Sequence, residues 1–198
     1  RDDAFPVNGW SIDSQLFSIP DCQSIIKKAI VERLKLKYRI SVFPETGPQY
    51  KVRFSIHKNN VSMMIDTSGE GLHKRGYRKL TAKAPIAENL ASALIMLTPW
   101  RGDRILVDPF CGSGTIPIEA AMIARNIAPG LNRNFASEEW ELIPAEIWKE
   151  ERKKAFSEIN YDADLQIFAF DVDPKAIEAA TENAIEAGVD DCIVFKRM

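Results

Sequence analysis

Eight residues near the middle of the chain have the types and spacing of a turn that binds a nucleoside cofactor: Asp108-Pro109-Phe110-Cys111-Gly112-Ser113-Gly114-Thr115. Residues 104–107 before it predict a short buried strand, and the apolar spacing of residues 116–125 after it predicts a helix. Glycines in such a turn let the backbone approach a ligand, and the first N–H groups of the helix can bind a carboxylate or phosphate. The octapeptide is therefore the first candidate binding site.

Two common glycine turns differ from this one. A P-loop for nucleoside triphosphates requires Lys and then Ser or Thr after its second glycine, whereas Gly114 is followed by Thr115 and Ile116. A dinucleotide turn requires a small residue three positions after Gly114, where Pro117 stands. The remaining form, an acid at the strand end followed by Gly-x-Gly, resembles class I methyltransferases that bind S-adenosylmethionine. Its Asp-Pro-Phe-Cys variant resembles those that methylate exocyclic amino groups of bases, and a tight turn without ligand is the alternative.

A second acid ends the next predicted strand. Residues 165–170 have the composition of a buried strand, and Asp171 follows them directly. In a doubly wound sheet, the acid that closes the second strand accepts hydrogen bonds from the ribose hydroxyls of the nucleoside. Asp171 is therefore the predicted ribose ligand, with Val172 beside it. The predicted cofactor-binding residues are Asp108, Pro109, Phe110, Cys111, Gly112, Ser113, Gly114, Thr115, Asp171 and Val172.

A helix follows this second acid. Residues 175–187 have helical spacing, Asp173 precedes Pro174 at the start, and Gly188 stands at the end. Asp173 is interpreted as the residue that caps the helix, because its carboxylate can accept from the first backbone N–H groups. Gly188 is expected to end the helix in a left-handed conformation.

The two acids are further apart in sequence than an ordinary crossover requires, so residues 126–158 are predicted to contain an insertion. It is expected to form a loop, then a cap at Ser137, then a charged helix. Trp140 and Trp148 in this segment could contact substrate or pack in a core, and packing is the preferred interpretation.

Composition limits the function classes. The chain has 198 residues, 45% hydrophobic content and a net charge of −2, which argues against a protein that coats nucleic acid indiscriminately. Three scattered cysteines and two histidines support neither a metal site nor a disulfide framework. Free thiols indicate a reducing compartment, and with no targeting segment or long apolar run we expect a cytoplasmic protein without membrane contact. Cys111 has no activating neighbour in sequence and is interpreted as a small loop residue, not a nucleophile.

A basic segment lies between residues 72 and 83, with an aromatic residue inside it and no acid. This composition can hold phosphates and stack a base, although a solvated linker would have it too. The predicted RNA-binding residues are Lys74, Arg75, Tyr77, Arg78 and Lys79.

The first third of the chain predicts a small α/β unit. Residues 20–38 have helical spacing, residues 50–57 and 61–65 have the pattern of strands, and Asn59-Asn60 between them predicts a hairpin turn. This region resembles the latter part of a THUMP domain, an RNA-binding module.

The order of the segments has a wider resemblance. The α/β unit is followed by Asp66-Thr-Ser-Gly-Glu-Gly-Leu-His-Lys-Arg-Gly-Tyr-Arg78, then by Lys83-Ala-Pro-Ile-Ala-Glu-Asn-Leu-Ala91, then by the octapeptide. Nearly the whole chain is similar to the bacterial THUMP-domain-containing 23S rRNA guanine-N2 methyltransferases, many of which carry the name N6-adenine-specific DNA methylase. The resemblance implies S-adenosylmethionine as cofactor, RNA as partner, and methyl transfer to the exocyclic N2 amine of a guanine in 23S rRNA.

In that family the octapeptide corresponds to the cofactor turn and Asp171 to the ribose ligand. The segment Lys83–Ala91 would form a helix that closes over the methionine end of the cofactor. From its own residues, this helix is expected to have Pro85 in its first turn. Its predicted sheet-facing residues are Ile86, Leu90, Ala93, Leu94 and Leu97.

The predicted fold class is α/β: a class I (Rossmann-like) methyltransferase sheet, incomplete at its C-terminus, after part of a THUMP-like module. The predicted domains are residues 1–66, a basic linker at 67–84, and residues 85–198. The catalytic Asn/Asp-Pro-Pro-aromatic motif of the family does not occur in residues 1–198, so no catalytic residue is predicted, and we expect the chain to be a fragment. A tRNA guanine-N2 methyltransferase, a DNA adenine-N6 methyltransferase and an inactive RNA-binding protein stay open as alternatives.

Overall fold

The computed structural model describes residues 2–80 and 84–198. Residues 81–83, and with them the start of the segment Lys83–Ala91, lie outside the described part. The chain divides into two compact units. The first unit consists of Arg1–Glu70 with Phe135–Ala145, and the second consists of Gly71–Asn134 with Glu146–Met198.

The first unit contains a three-stranded sheet in the order β1-β2-β3 and one long helix. Its elements are β1 (Val7–Ile12), α1 (Ile19–Tyr38), β2 (Lys51–His57) and β3 (Asn60–Asp66). Strand β1 pairs with β2 in parallel, and β2 pairs with β3 in antiparallel. Apolar residues of α1, Ile26 and Ile30, pack against Phe54 and Ile56 of β2 and form the small core of this unit.

The hairpin between β2 and β3 turns one residue earlier than expected. Its loop is Lys58-Asn59, and both residues have positive φ, as a tight turn that matches the twist of the strands requires. Asn60 pairs with His57 in the ladder instead of lying in the turn.

Residues 135–145 belong to the first unit although they lie between elements of the second. The Trp140 ring stacks on Tyr50, with 4.6 Å between ring centroids, and its indole N–H donates to the carbonyl of Gln49 at 2.9 Å. Ser137 does not cap a helix; it lies in a short 3-10 helix and its hydroxyl donates to the Thr67 carbonyl. Trp140 is buried, as its predicted packing role requires.

The second unit is built on a three-stranded parallel sheet in the order β4-β5-β6. Its elements are α2 (Glu88–Leu97), β4 (Leu106–Asp108), α3 (Thr115–Ala124), α4 (Ala145–Ser157), β5 (Ile167–Asp171), α5 (Pro174–Ala187) and β6 (Ile193–Arg197). Buried residues of α3, β5 and α5, among them Ile118, Ala169 and Ala184, form its core. Because the strands are parallel, the carboxyl ends of β4 and β5 lie at the same edge of the sheet.

Helix α2 differs from its prediction in start and orientation. It begins at Glu88, after Pro85, and its buried residues are Glu88, Ala91 and Ile95. The predicted inner residues Leu90, Ala93, Leu94 and Leu97 are exposed. The inner face contains the acid because Glu88 pairs with a partly buried arginine of the same unit, Arg78, which an apolar pattern cannot anticipate. Within the described ranges, every helix is too short or too polar to span a membrane.

Candidate cofactor-binding site

The predicted turn connects the end of β4 to the start of α3. Gly112 and Gly114 both have positive φ, at 53° and 81°, and a Cβ on Gly114 would lie 3.0 Å from the Ala180 Cβ of α5. Conformation and space therefore both favour glycine at position 114. The Gly114 N–H donates to the Cys111 carbonyl at 2.8 Å and closes the turn.

The two predicted acids meet at this edge of the sheet. Asp171 accepts from the Gly112 N–H through Oδ2 at 3.0 Å and from the Asp173 N–H through Oδ1 at 2.9 Å. Asp108 accepts from the Phe110 N–H at 3.1 Å. Burial raises the pKa of Asp108, and the nearby charge of Asp171 raises it further. The turn is thus bordered by two carboxylates, one at the end of each strand.

The predicted cofactor residues differ in what they can offer a ligand. Phe110 and Val172 are exposed, at 80% and 65%. Cys111, Ser113 and Thr115 are buried. Phe110 and Val172 can therefore present their side chains to a ligand, whereas the buried side chains of the turn pack inside the unit and support its conformation.

The thiol of Cys111 is not set up as a nucleophile. Burial, with the charges of Asp108 and Asp171, raises its pKa to about 12, so the thiol is protonated at neutral pH. In the residues that the structure describes, no three His, Cys, Asp or Glu side chains form a potential metal site.

Three residues of the basic segment contribute to the interior of the second unit: Arg75, Tyr77 and Arg78. Tyr77 is 1% exposed, and its hydroxyl donates to Oε1 of Glu119 on α3 at 3.0 Å. Ser92 of α2 donates to Oε2 of the same carboxylate, and Arg75 Nε lies 3.6 Å from it. Burial raises the pKa of Glu119, while the donors oppose that rise. A ring enclosed in this way has no free face, which corrects the predicted base-stacking role of Tyr77.

Arg78 also points inward and contacts the end of the cofactor turn. Its guanidinium donates to Thr115 Oγ1 at 2.8 Å and to the Ile86 carbonyl at 2.9 Å. Its Nε lies 3.4 Å from Oε1 of the buried Glu88. The arginine thus joins the start of α2 to the start of α3, and it is unsuited to the predicted contact with RNA.

Two of the five predicted RNA-binding residues are on the surface. Lys74 is exposed, and Lys79 forms a surface ion pair with Glu186 at 2.6 Å. Arg75 and Arg78 are engaged in the interior with Tyr77. Contacts with residues distant in sequence determine which side chains of the segment face inward, and the composition of the segment does not indicate them.

Comparison with known proteins identifies the two halves of the chain. Residues 75–198 match the family model described as RMKL-like, methyltransferase domain, and residues 1–66 match the THUMP domain. The chain belongs to the RMKL-like methyltransferase family. The resemblance drawn from the octapeptide and from the segments Asp66–Arg78 and Lys83–Ala91 is confirmed, and so is the predicted fold class.

Similar proteins are known from several sources. "Putative RNA methyltransferase YpsC" of Bacillus subtilis (strain 168) is 54% identical over 196 residues, which are 98% of this chain and 51% of that protein. "Ribosomal RNA large subunit methyltransferase K/L" of Vibrio parahaemolyticus serotype O3:K6 is 41% identical over 152 residues, 75% of this chain and 22% of that protein.

A solved structure is also similar over the whole chain. SMU.472, described as "a putative methyltransferase complexed with SAH", superposes with a TM-score of 0.92 and 45% identity, over 100% of this chain and 52% of that one. The chain spans about half the length of the B. subtilis relative and of this structure.

Proposed function

We propose that this protein is an S-adenosylmethionine-dependent RNA methyltransferase that modifies the exocyclic N2 amine of a guanine in 23S rRNA. The observation that carries the proposal is the glycine turn between Asp108 and Asp171 at the carboxyl edge of a parallel sheet. SMU.472, which is similar over the whole chain, was crystallised with S-adenosylhomocysteine, the demethylated product of that cofactor. The chain's RNA methyltransferase relatives support the substrate class.

The residues of the turn fit the predicted cofactor. A carboxylate has about four acceptor sites, and the two backbone bonds of Asp171 occupy two of them. The remaining acceptor capacity can serve ribose hydroxyls. The start of α3 supplies backbone N–H groups and the positive end of a helix dipole, which suit the carboxylate of an amino acid. When bound, S-adenosylmethionine supplies an electrophilic methyl group on its sulfonium.

For the RNA substrate, the main task of the enzyme is to position the target amine. An exocyclic amine is a weak nucleophile because its lone pair is delocalised into the ring, so the enzyme must hold it in line with the methyl group. Such positioning can contribute about 7–11 kcal/mol. The base must also leave its stack, at a cost of a few kcal/mol in a duplex and less in a loop. The THUMP domain, with Lys74 and Lys79 on the surface of the second unit, is proposed to hold the RNA.

The test is methyl transfer by the full-length protein from labelled S-adenosylmethionine to RNA from a strain that lacks the gene. Purified 23S rRNA, tRNA and genomic DNA are assayed separately, and the product nucleoside is identified by mass spectrometry. We expect N2-methylguanosine in 23S rRNA alone. The same nucleoside in tRNA would change the substrate, N6-methyladenine in DNA would overturn the RNA assignment, and cofactor binding without transfer to any polymer would indicate an inactive RNA-binding protein.

A further inference from the structure

One buried polar side chain of α5 lies against the cofactor turn. Asn183 is 0% exposed. The other buried residues of this helix are all alanines: Ala176, Ala179, Ala180, Ala184 and Ala187. Small side chains let α5 approach α3 and the turn closely. A carboxamide in such a place is costly unless its hydrogen-bonding groups are paired.

The carboxamide of Asn183 has a full set of partners. Its Oδ1 accepts from the backbone N–H groups of Lys79 at 3.1 Å and Leu80 at 3.3 Å. Its Nδ2 donates to the carbonyls of Leu80 at 3.0 Å and Ser113 at 3.1 Å. Two acceptor and two donor bonds are the complete capacity of an amide side chain. Asn183 therefore joins α5, the backbone of residues 79–80 and the cofactor turn.

The bond to Ser113 acts on the part of the turn that a ligand would meet. The Ser113 carbonyl and the Gly114 N–H belong to one planar peptide group, and that N–H donates to the Cys111 carbonyl. Asn183 thus fixes the plane of this peptide. Ala180, nearly one helical turn earlier on α5, packs against Gly114. The helix holds the turn at two adjacent residues, by packing at Gly114 and by hydrogen bonding at Ser113.

We propose that Asn183 is a positioning residue of the cofactor site, which holds the glycine turn in its binding conformation and couples it to residues 79–80. This proposal rests on the proposed function, because it assumes that S-adenosylmethionine binds at the turn. A turn that is already ordered loses less conformational entropy when the cofactor binds, and binding is therefore more favourable. Without Asn183 the turn could form but would no longer be held in one arrangement.

The first experiment measures binding of S-adenosylhomocysteine by calorimetry in the intact protein with Asn183→Asp. The aspartate keeps acceptors for the Lys79 and Leu80 N–H groups but, when ionised, has no donor for the Leu80 and Ser113 carbonyls. We expect the dissociation constant to rise about tenfold, and the KM for S-adenosylmethionine to rise while the KM for RNA is unchanged. Lowering the pH protonates the aspartate and restores one donor, so affinity relative to the wild type should recover. Glu182→Gln, at an exposed position of the same helix, should bind as the wild type does.

The second experiment needs no variant and so does not depend on the folding of Asn183→Asp. Hydrogen exchange of the wild-type protein is measured with and without S-adenosylhomocysteine. We expect the ligand to slow exchange at the Lys79 and Leu80 amides together with that of Gly114. Protection of Gly114 without Lys79 and Leu80 would overturn the coupling.

The two proposals fail in different ways. A wild-type protein that binds no S-adenosylhomocysteine would refute the proposed function. A wild-type protein that binds it, with Asn183→Asp binding equally well, would refute the positioning role alone.

Discussion

Replacing Tyr77 by phenylalanine tests whether the basic segment is a structural part of the second unit. The change removes one hydroxyl and keeps the ring, so it leaves no cavity larger than an oxygen atom. Glu119, 2% exposed, loses the donor at 3.0 Å and retains Ser92 and Arg75. A hydrogen bond to a charged group contributes about 1.5–3 kcal/mol. We expect that loss in the free energy of unfolding, with a melting temperature lower by roughly 3–12 °C.

The effect should depend on pH with a definite sign. Burial raises the pKa of Glu119 in the folded protein, and the Tyr77 hydroxyl opposes the rise because it favours the carboxylate. A carboxyl whose pKa is higher folded than unfolded loses stability as the pH rises through the folded value. Without the hydroxyl this loss becomes larger. Tyr77→Phe should therefore cost most at neutral pH, and only about 0.5–1.5 kcal/mol below the pKa of Glu119, where a neutral hydrogen bond is lost.

The measurement is urea unfolding at several pH values, followed by a signal from the second unit. Tyr161→Phe is the matched control, because Tyr161 is exposed and the same hydroxyl should matter by less than about 0.5 kcal/mol there. If Tyr77→Phe is as stable as the wild type at neutral pH, the hydrogen bond between Tyr77 and Glu119 does not stabilise the fold. A structural role for the Tyr77 hydroxyl would then be refuted.

Three further substitutions test the site and its support. Asp171→Asn should weaken S-adenosylhomocysteine binding by about 1.5–3 kcal/mol in calorimetry; unchanged affinity would place the ribose contact elsewhere. Gly76→Ala should destabilise the protein by at least about 1–2 kcal/mol in urea, because φ is +96° and the new Cβ would overlap the Asn132 carbonyl; an unshifted midpoint would contradict that geometry. In the full-length protein, Cys111→Ser should retain labelled-methyl transfer, since the thiol is protonated and buried; loss of transfer with cofactor binding intact would indicate a covalent role.

Features that depend on residues close in sequence were predictable. Asp173 caps α5, where its carboxylate accepts from the Lys175 N–H at 2.9 Å, and this interpretation is confirmed. Gly188 ends the same helix with φ of 69°, also as expected. The turn and the helix of the octapeptide follow from patterns of apolar residues and glycines. In each case the deciding contacts lie within about one helical turn. The strand before them was predicted as buried at residues 104–107, whereas β4 spans Leu106–Asp108 and Val107 is exposed.

Features that depend on distant partners were not predictable. The hydroxyl of Tyr77 meets a carboxylate 42 residues away, and Asn183 meets Lys79 at a separation of 104. A basic segment has the same composition whether it faces RNA or buried acids. The prediction of which α2 residues face inward was wrong for the same reason, because Glu88 is held inside by its ion pair with Arg78. Asn183 has one local signal, a polar residue on a face of alanines, which its spacing could have revealed.

The placement of residues 135–145 in the first unit has a practical consequence for anyone dividing this protein. Truncation after residue 70 would remove the Trp140 indole, which stacks on Tyr50 and donates to the Gln49 carbonyl. It would also remove the Ser137 hydroxyl, which donates to the Thr67 carbonyl. Such a fragment would expose an aromatic ring and leave main-chain oxygens without hydrogen-bond donors, so it should aggregate and be poorly ordered. A minimal fragment of the first unit would have to carry this distant stretch of sequence along, for example grafted through a glycine-rich tether.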